Sequence, residues 1–227
     1  MQKNIVLPSR SEQIFGWCYL LFCQTCLPYA LNFIFAGLGI ALSGAQLNLT
    51  YFAVNFVVVC AVFWKFWVRS GKAFLDRTLL SLLTAAGLFA VYCLVSQLLG
   101  RLILWLMPEY FNANDQSVAA VARSYYIPTL ICTVFLVPIT EECLHRGVVF
   151  GSLFQKNAIL AYAVSTLVFA LVHINWTVGD PAILALSFLQ YIPAGLCLAA
   201  AYHISGSVTA PILIHMAVNA IGILALR

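Results

Sequence analysis

Three charged side chains lie inside an apolar segment, and they constrain the fold more than any other feature of this sequence. Glu141, Glu142 and Arg146 fall within residues 126–154, which are otherwise rich in apolar side chains. One carboxylate at the centre of a bilayer costs about 2.5–3.5 kcal/mol or more, so two adjacent ones require other helices that enclose them. The sequence therefore predicts that this segment is a central helix of a membrane bundle, with its charges facing inward.

Helical spacing gives the two adjacent glutamates different neighbours. Glu142 and Arg146 are four residues apart with the acid first, which is the favourable order for an ion pair on one helix face. Glu141 is rotated by about 100° from Glu142 and cannot share the arginine equally. We therefore expect Glu142 and Arg146 to form a structural pair that leaves Glu141 for another role. His145, four residues after Glu141, is a candidate modulator of it.

The composition predicts a membrane protein. Of the 227 residues, 63% are hydrophobic and 8% are charged, whereas soluble domains carry about a quarter charged residues. The net charge of +4 is spread over several loops, which argues against nucleic acid as a partner. The eight cysteines all lie in apolar runs and are expected to pack as small hydrophobic residues.

The apolar runs predict an all-α fold, a polytopic transmembrane helix bundle of about seven spans. The predicted spans cover about residues 14–42, 51–68, 79–107, 125–154, 158–174, 182–202 and 208–226. Between them, residues 43–50 are predicted as a turn and residues 108–124 as the longest polar loop. We expect one membrane domain, in which residues 1–125 show no recognisable signature and residues 126–227 form the catalytic core.

The distribution of charge predicts the orientation of the bundle. Nearly all Lys and Arg outside the spans fall in the N-terminal segment, in residues 65–77 and at Lys156, whereas Glu109, Asp115 and Asp180 lie in the alternate loops. Because loops rich in Lys and Arg remain in the cytoplasm, the N-terminus is predicted to be cytoplasmic. The predicted location is the cell membrane, with lipid as the surrounding partner.

Polar side chains also interrupt two of the later predicted spans. His173 closes the fifth span, and His215 and Asn219 lie four residues apart on one face of the seventh. Polar groups within membrane helices avoid lipid and face the protein interior. We therefore expect His173, His215 and Asn219 to converge with Glu141 on one polar cavity.

These four residue types can hydrolyse a peptide bond. A carboxylate in such a cavity, here Glu141, can act as general base on a water molecule that His173 helps to hold and polarise. His215 and the amide of Asn219 are donors suited to the oxyanion of the tetrahedral intermediate. Glu141, His173 and His215 could instead bind zinc and leave one position open for water. No His-Glu-x-x-His helix supports this metal alternative.

The motifs that carry these residues resemble those of one known family. Glu141-Glu142-x-x-x-Arg146, Phe169-x-x-x-His173 and His215-x-x-x-Asn219 follow one another in the order typical of the CPBP family, also called Abi, which includes CAAX proteases and bacteriocin-processing membrane proteins. The resemblance covers about residues 126–222. His145 departs from it, because relatives usually carry an apolar or aromatic residue at this position.

The resemblance implies a glutamate-dependent intramembrane endopeptidase. We expect no cofactor, because Asn219 is better suited to be an oxyanion donor than a partner of zinc. By motif, Glu141 and His173 would activate water, and His215 and Asn219 would stabilise the oxyanion. The eukaryotic CAAX proteases of the family remove three residues from prenylated proteins. The small size of this chain resembles the bacterial members instead, so the expected substrate is a membrane-associated peptide or protein.

Two other classes of function use the same residues. The first is a non-catalytic membrane scaffold or bacteriocin-immunity protein, in which the motifs serve folding. The second is an ion or proton translocator, since buried acids and histidines also form relays. A translocator is expected to show broken helices in two related halves, whereas the polar residues here concentrate in the C-terminal half.

Overall fold

The computed structural model describes residues 5–226, and the regular structure in this range is helical. Lys3, which contributes to the predicted cytoplasmic N-terminus, lies outside the described residues. The helices are α1 (Arg10–Thr25), α2 (Leu27–Gly37), α3 (Gly44–Leu75), α4 (Thr78–Leu106), α5 (Ala113–Ser124), α6 (Tyr126–Phe154), α7 (Ala158–Val172), α8 (Pro181–Ser205) and α9 (Thr209–Leu224). The predicted all-α membrane bundle is confirmed.

Helix length does not confirm the predicted count of seven spans. Within residues 5–226, four helices, α3, α4, α6 and α8, are long and apolar enough to cross a bilayer. α1 and α2 meet at a 63° bend and together would make a fifth span. α7 and α9 are apolar but have 15 and 16 residues, fewer than the roughly 20 that a straight crossing needs.

Two segments that were predicted as turn or loop are helical, and local capping explains both. α3 begins at Gly44 rather than near residue 51, because Ser43 and Gln46 form a capping box in which each side chain accepts the other's backbone N–H. α5 lies within the predicted loop 108–124 and begins after Asn112, whose side chain accepts two backbone N–H groups of the first turn. The polar composition of these two segments had predicted non-helical structure at the starts of α3 and α5.

The central helix α6 is not a regular α-helix. It contains two π-helical segments, Cys132–Leu136 and Cys143–Phe150, and Pro138 follows the first of them. In that segment the N–H of Val137 donates to the carbonyl of Cys132, five residues back. The same register would pair the Thr133 carbonyl with Pro138, which has no N–H. The carbonyl of Thr133 is therefore available to another helix.

The N-terminal helices pack directly against the charged part of α6. A Cβ at Gly147 would lie 2.9 Å from the ring of Phe66 in α3, and one at Gly16 of α1 would lie 2.4 Å from Val148. The whole segment Cys143–Phe150 is buried. α1 and α3 thus share one core with the helix that carries the motif glutamates.

Hydrogen bonds show which segments lie at the same end of the bundle. The N–H of Val6 donates to the carbonyl of Gly206, and Ser70 near the end of α3 contacts Ser207 in the turn between α8 and α9. The N-terminal segment, the end of α3 and this turn therefore lie together, in the arrangement that the charge distribution predicts. Which face of the membrane this end occupies remains a prediction.

Reporter fusions test the orientation. We expect a reporter inserted beside Arg77, in the turn between α3 and α4, to be cytoplasmic, because this end carries the Lys65–Arg77 charges. A reporter beside the exposed Glu109, which follows α4, is expected on the opposite face. The reversed pattern would contradict the orientation, and two reporters on the same face would show that α4 does not cross.

Candidate active site

The four predicted catalytic residues line one cavity. Glu141 of α6, His173 at the end of α7, and His215 and Asn219 of α9 all contribute to a cavity of about 770 Å³. α1, α3, α4, α5 and α8 complete its wall. A volume of this size is typical of sites that take a small molecule or part of a peptide.

The ring of His173 is held so that its ε nitrogen faces Glu141. Its Nδ1 lies 2.7 Å from the carbonyl oxygen of Phe169, one turn earlier. Because a carbonyl only accepts, Nδ1 carries a hydrogen, and Nε2 of the neutral ring is an acceptor. Nε2 lies 3.6 Å from Oε2 of Glu141.

The ring of His215 faces the same carboxylate oxygen from another helix. Its Nδ1 lies 2.8 Å from Oε1 of Glu142, and its Nε2 lies 4.0 Å from Oε2 of Glu141. That Oε2 atom is buried and has no hydrogen-bond partner among the described residues. Two imidazole ε nitrogens thus surround one carboxylate oxygen, with room for a small polar molecule to bridge them.

Asn219 is fixed by the irregularity of α6. Its Nδ2 donates to the carbonyl of Thr133 at 2.8 Å, the carbonyl that the π segment and Pro138 leave available. One N–H of the amide is thereby committed and its orientation is set. The second N–H of the same nitrogen can serve another acceptor in the cavity.

Glu142 bridges two partners. Its Oε2 lies 3.1 Å from Nε of Arg146, with both side chains fully buried, so the pair expected from the helical spacing is present. Its other oxygen binds His215 of α9. The guanidinium of Arg146 lies over the ring of Phe169, 4.5 Å from its centroid. Sequence reasoning missed the contact with His215, because no spacing along the chain relates α6 to α9.

The described contacts give no direct support to His145 as a modulator of Glu141 or to the zinc alternative. His145 is buried, with its ring edge-on to Phe169 at 5.4 Å, and the described contacts include no hydrogen bond from it to Glu141. Within residues 5–226, no group of three or more His, Cys, Asp and Glu side chains is arranged to hold a metal ion. As they stand, Glu141, His173 and His215 are not arranged as a zinc site.

A hydrogen-bond network beside the cavity was not predicted from the sequence. Asn112 donates to Gln190 of α8 at 2.9 Å, and Asn114 donates to the hydroxyl of Tyr191 at 3.0 Å. The ring of Tyr191 lies 4.6 Å from that of His173. α5 is thus joined to α8 beside the candidate site. Asn112 and Asn114 at the start of α5 could have indicated this network, but the polar composition of the segment predicted a loop.

Comparison with known proteins adds one positive finding. Residues 123–221 match the family model described as type II CAAX prenyl endopeptidase Rce1-like. No curated protein and no solved structure matches the chain. The matched segment runs from the end of α5 into α9 and contains Glu141, His173, His215 and Asn219. Residues 123–221 are therefore similar to an Rce1-like domain, and this match is consistent with the CPBP-type membrane protease resemblance that the three motifs indicate.

Proposed function

We propose that this protein is an intramembrane endopeptidase that hydrolyses a peptide bond in a membrane-associated peptide or protein. The observation that carries the proposal is the position of the two ε nitrogens, 3.6 and 4.0 Å from Oε2 of Glu141, which has no hydrogen-bond partner among the described residues. The Rce1-like match supports the same class of reaction. Membrane lipid surrounds the site, and no cofactor is needed for the steps below.

Glu141 and His173 are proposed to activate the water. The carboxylate and the neutral Nε2 of His173 are both acceptors, so one water molecule can donate a hydrogen to each. Glu141 takes a proton as the water oxygen attacks the carbonyl carbon of the substrate. It later returns that proton to the leaving nitrogen as the C–N bond breaks.

His215 and Asn219 are proposed to stabilise the oxyanion. Asn219 offers its second N–H. His215 carries a hydrogen on Nδ1, which faces Glu142, so its Nε2 donates only when the ring is protonated on both nitrogens. The carboxylate of Glu142 stabilises that imidazolium. Glu142 is thus a positioning residue as well as the partner of Arg146.

Glu141→Gln tests the general base. The change preserves shape and removes the basic carboxylate, so we expect hydrolysis to fall by about 10²–10⁴-fold with the melting temperature unchanged. The assay is mass spectrometry of membrane-embedded peptides incubated with the purified protein. The matched control is Glu109→Gln, which removes an exposed carboxylate outside the cavity. A wild-type protein that cleaves no peptide would favour the scaffold alternative.

Changes at Glu142 and Arg146 separate stability from catalysis. Glu142→Gln leaves Arg146 as an unpaired buried charge, which typically costs about 3–5 kcal/mol, so this variant is expected to melt earlier and to be inactive. The double change Glu142→Gln with Arg146→Gln is expected to recover part of the stability, because no orphan charge remains.

Activity in that double variant is the decisive measurement. We expect it to stay low, because an amide cannot support the imidazolium of His215 as a carboxylate does. Thermal unfolding confirms that the protein is folded under the assay conditions. Recovery of wild-type activity together with stability would show that Glu142 acts through Arg146 alone.

Chelation tests the metal question. We expect the extensively chelated protein to keep its activity and to contain no stoichiometric zinc, because the proposed steps use only side chains and water. Elemental analysis and peptide hydrolysis are measured on the same sample. Zinc whose removal abolishes hydrolysis, and whose return restores it, would replace the metal-free mechanism with the zinc-dependent one.

A further inference from the structure

A second, much smaller cavity adjoins the candidate site. Its volume is about 30 Å³, and it lies between α1, α3 and α6. None of His173, His215 and Asn219 lines it. The residues that line both this chamber and the large cavity are Gln24, Tyr51, Phe52, Val137 and Glu141. Glu141 therefore borders two spaces, one shared with the other candidate residues and one separate from them.

The chamber is polar where it meets α6. His145 lines it, is 1% exposed, and has a δ nitrogen without a hydrogen-bond partner among the described residues. A buried polar atom in this state carries a desolvation penalty that a bound water molecule would remove. Asn55, on the opposite wall, is held by the hydroxyl of Tyr19 at 2.8 Å and by the carbonyl of Tyr51 at 2.9 Å. The lining thus offers fixed polar groups and one unsatisfied nitrogen.

The size and lining of the chamber suit water. A buried water molecule needs roughly 10–15 Å³ of such volume and two to four polar partners, so this space holds about two. Empty cavities in proteins are apolar. This one contains carboxylate, imidazole, amide and hydroxyl groups, from Glu141, His145, Asn55 and Tyr51.

We propose that this chamber is a water-binding site that supplies Glu141 with the water consumed in each turnover, with His145 as a positioning residue for that water. The inference rests on the proposed function. Hydrolysis consumes one water for each bond: its oxygen joins the acyl carbon, one hydrogen stays on the new carboxyl group, and the other reaches the leaving nitrogen. A peptide that fills the large cavity separates Glu141 from bulk water on that side, whereas the chamber reaches the carboxylate from between α1 and α3.

Hydroxyl-radical footprinting with X-rays tests the water site without any assay of activity. Radicals form from water bound beside a side chain, so Cys23 and His145 are expected to be labelled although they are 2% and 1% exposed. Cys143 is the matched control for Cys23, because it is fully buried and lines neither cavity. The full chain in lipid nanodiscs is used. Labelling of Cys23 and His145 as slow as that of Cys143 would overturn the inference.

Kinetics test the supply role. His145→Phe keeps a planar ring and removes the nitrogen, so we expect kcat to fall several-fold and KM to stay unchanged, because substrate contacts are untouched. His145→Gln restores a polar partner and is expected to recover part of kcat. An unchanged kcat in His145→Phe would overturn the supply role.

The two proposals fail in different ways. A dry chamber in a wild-type protein that hydrolyses peptides, and that loses activity in Glu141→Gln, would overturn the chamber and leave the proposed function standing. A labelled chamber in a protein that cleaves no peptide would overturn the supply role together with the proposed function.

Discussion

The buried charges of α6 determine how the rest of the bundle is arranged. Glu142 and Arg146 are fully buried in a helix that lies in an apolar setting, and such a pair is tolerated only when its remaining polar atoms are also accommodated. His215 takes the second oxygen of Glu142, and the ring of Phe169 covers the guanidinium, whose terminal nitrogens are buried without a hydrogen-bond partner among the described residues. α7 and α9 are therefore tied to α6 by the same two charges, and this places His173 and His215 within 4 Å of Glu141.

The irregular backbone of α6 adds a second tie between the same helices. A regular α-helix would satisfy the carbonyl of Thr133 internally, but the π segment before Pro138 leaves it for Asn219. In a membrane the alternative to such a partner is an unsatisfied carbonyl, which costs several kcal/mol. The proline and the asparagine, 81 positions apart, thus act as one structural unit. His215 and Asn219 are held by different means, a carboxylate and a carbonyl, and both face the same cavity.

The N-terminal helices close the side of α6 that α7 and α9 leave open. Because Gly16 and Gly147 have no side chain, α1 and α3 pack against the second π segment at distances that a Cβ at either position would obstruct. α1 and α3 line the small chamber next to Glu141 and the buried His145. The part of the chain without a recognisable motif therefore shapes the surroundings of the motif residues.

Much of this architecture could be predicted from the sequence, and the reason is the cost of polar groups in lipid. That cost made Glu141, His173, His215 and Asn219 visible as inward-facing residues, and the spacing of Glu142 and Arg146 predicted their pair. Local signals also existed for the starts of α3 and α5, in Ser43 and Asn112, but polar composition outweighed them. The number of membrane crossings could not be derived from the sequence, since the lengths of α7 and α9 and the bend between α1 and α2 depend on packing.

Contacts between helices were decided by the tertiary structure alone. Three features join segments that are far apart in the chain: the second partner of Glu142, the acceptor of Asn219 and the space beside His145. The periodicity of a single helix cannot predict contacts of this kind.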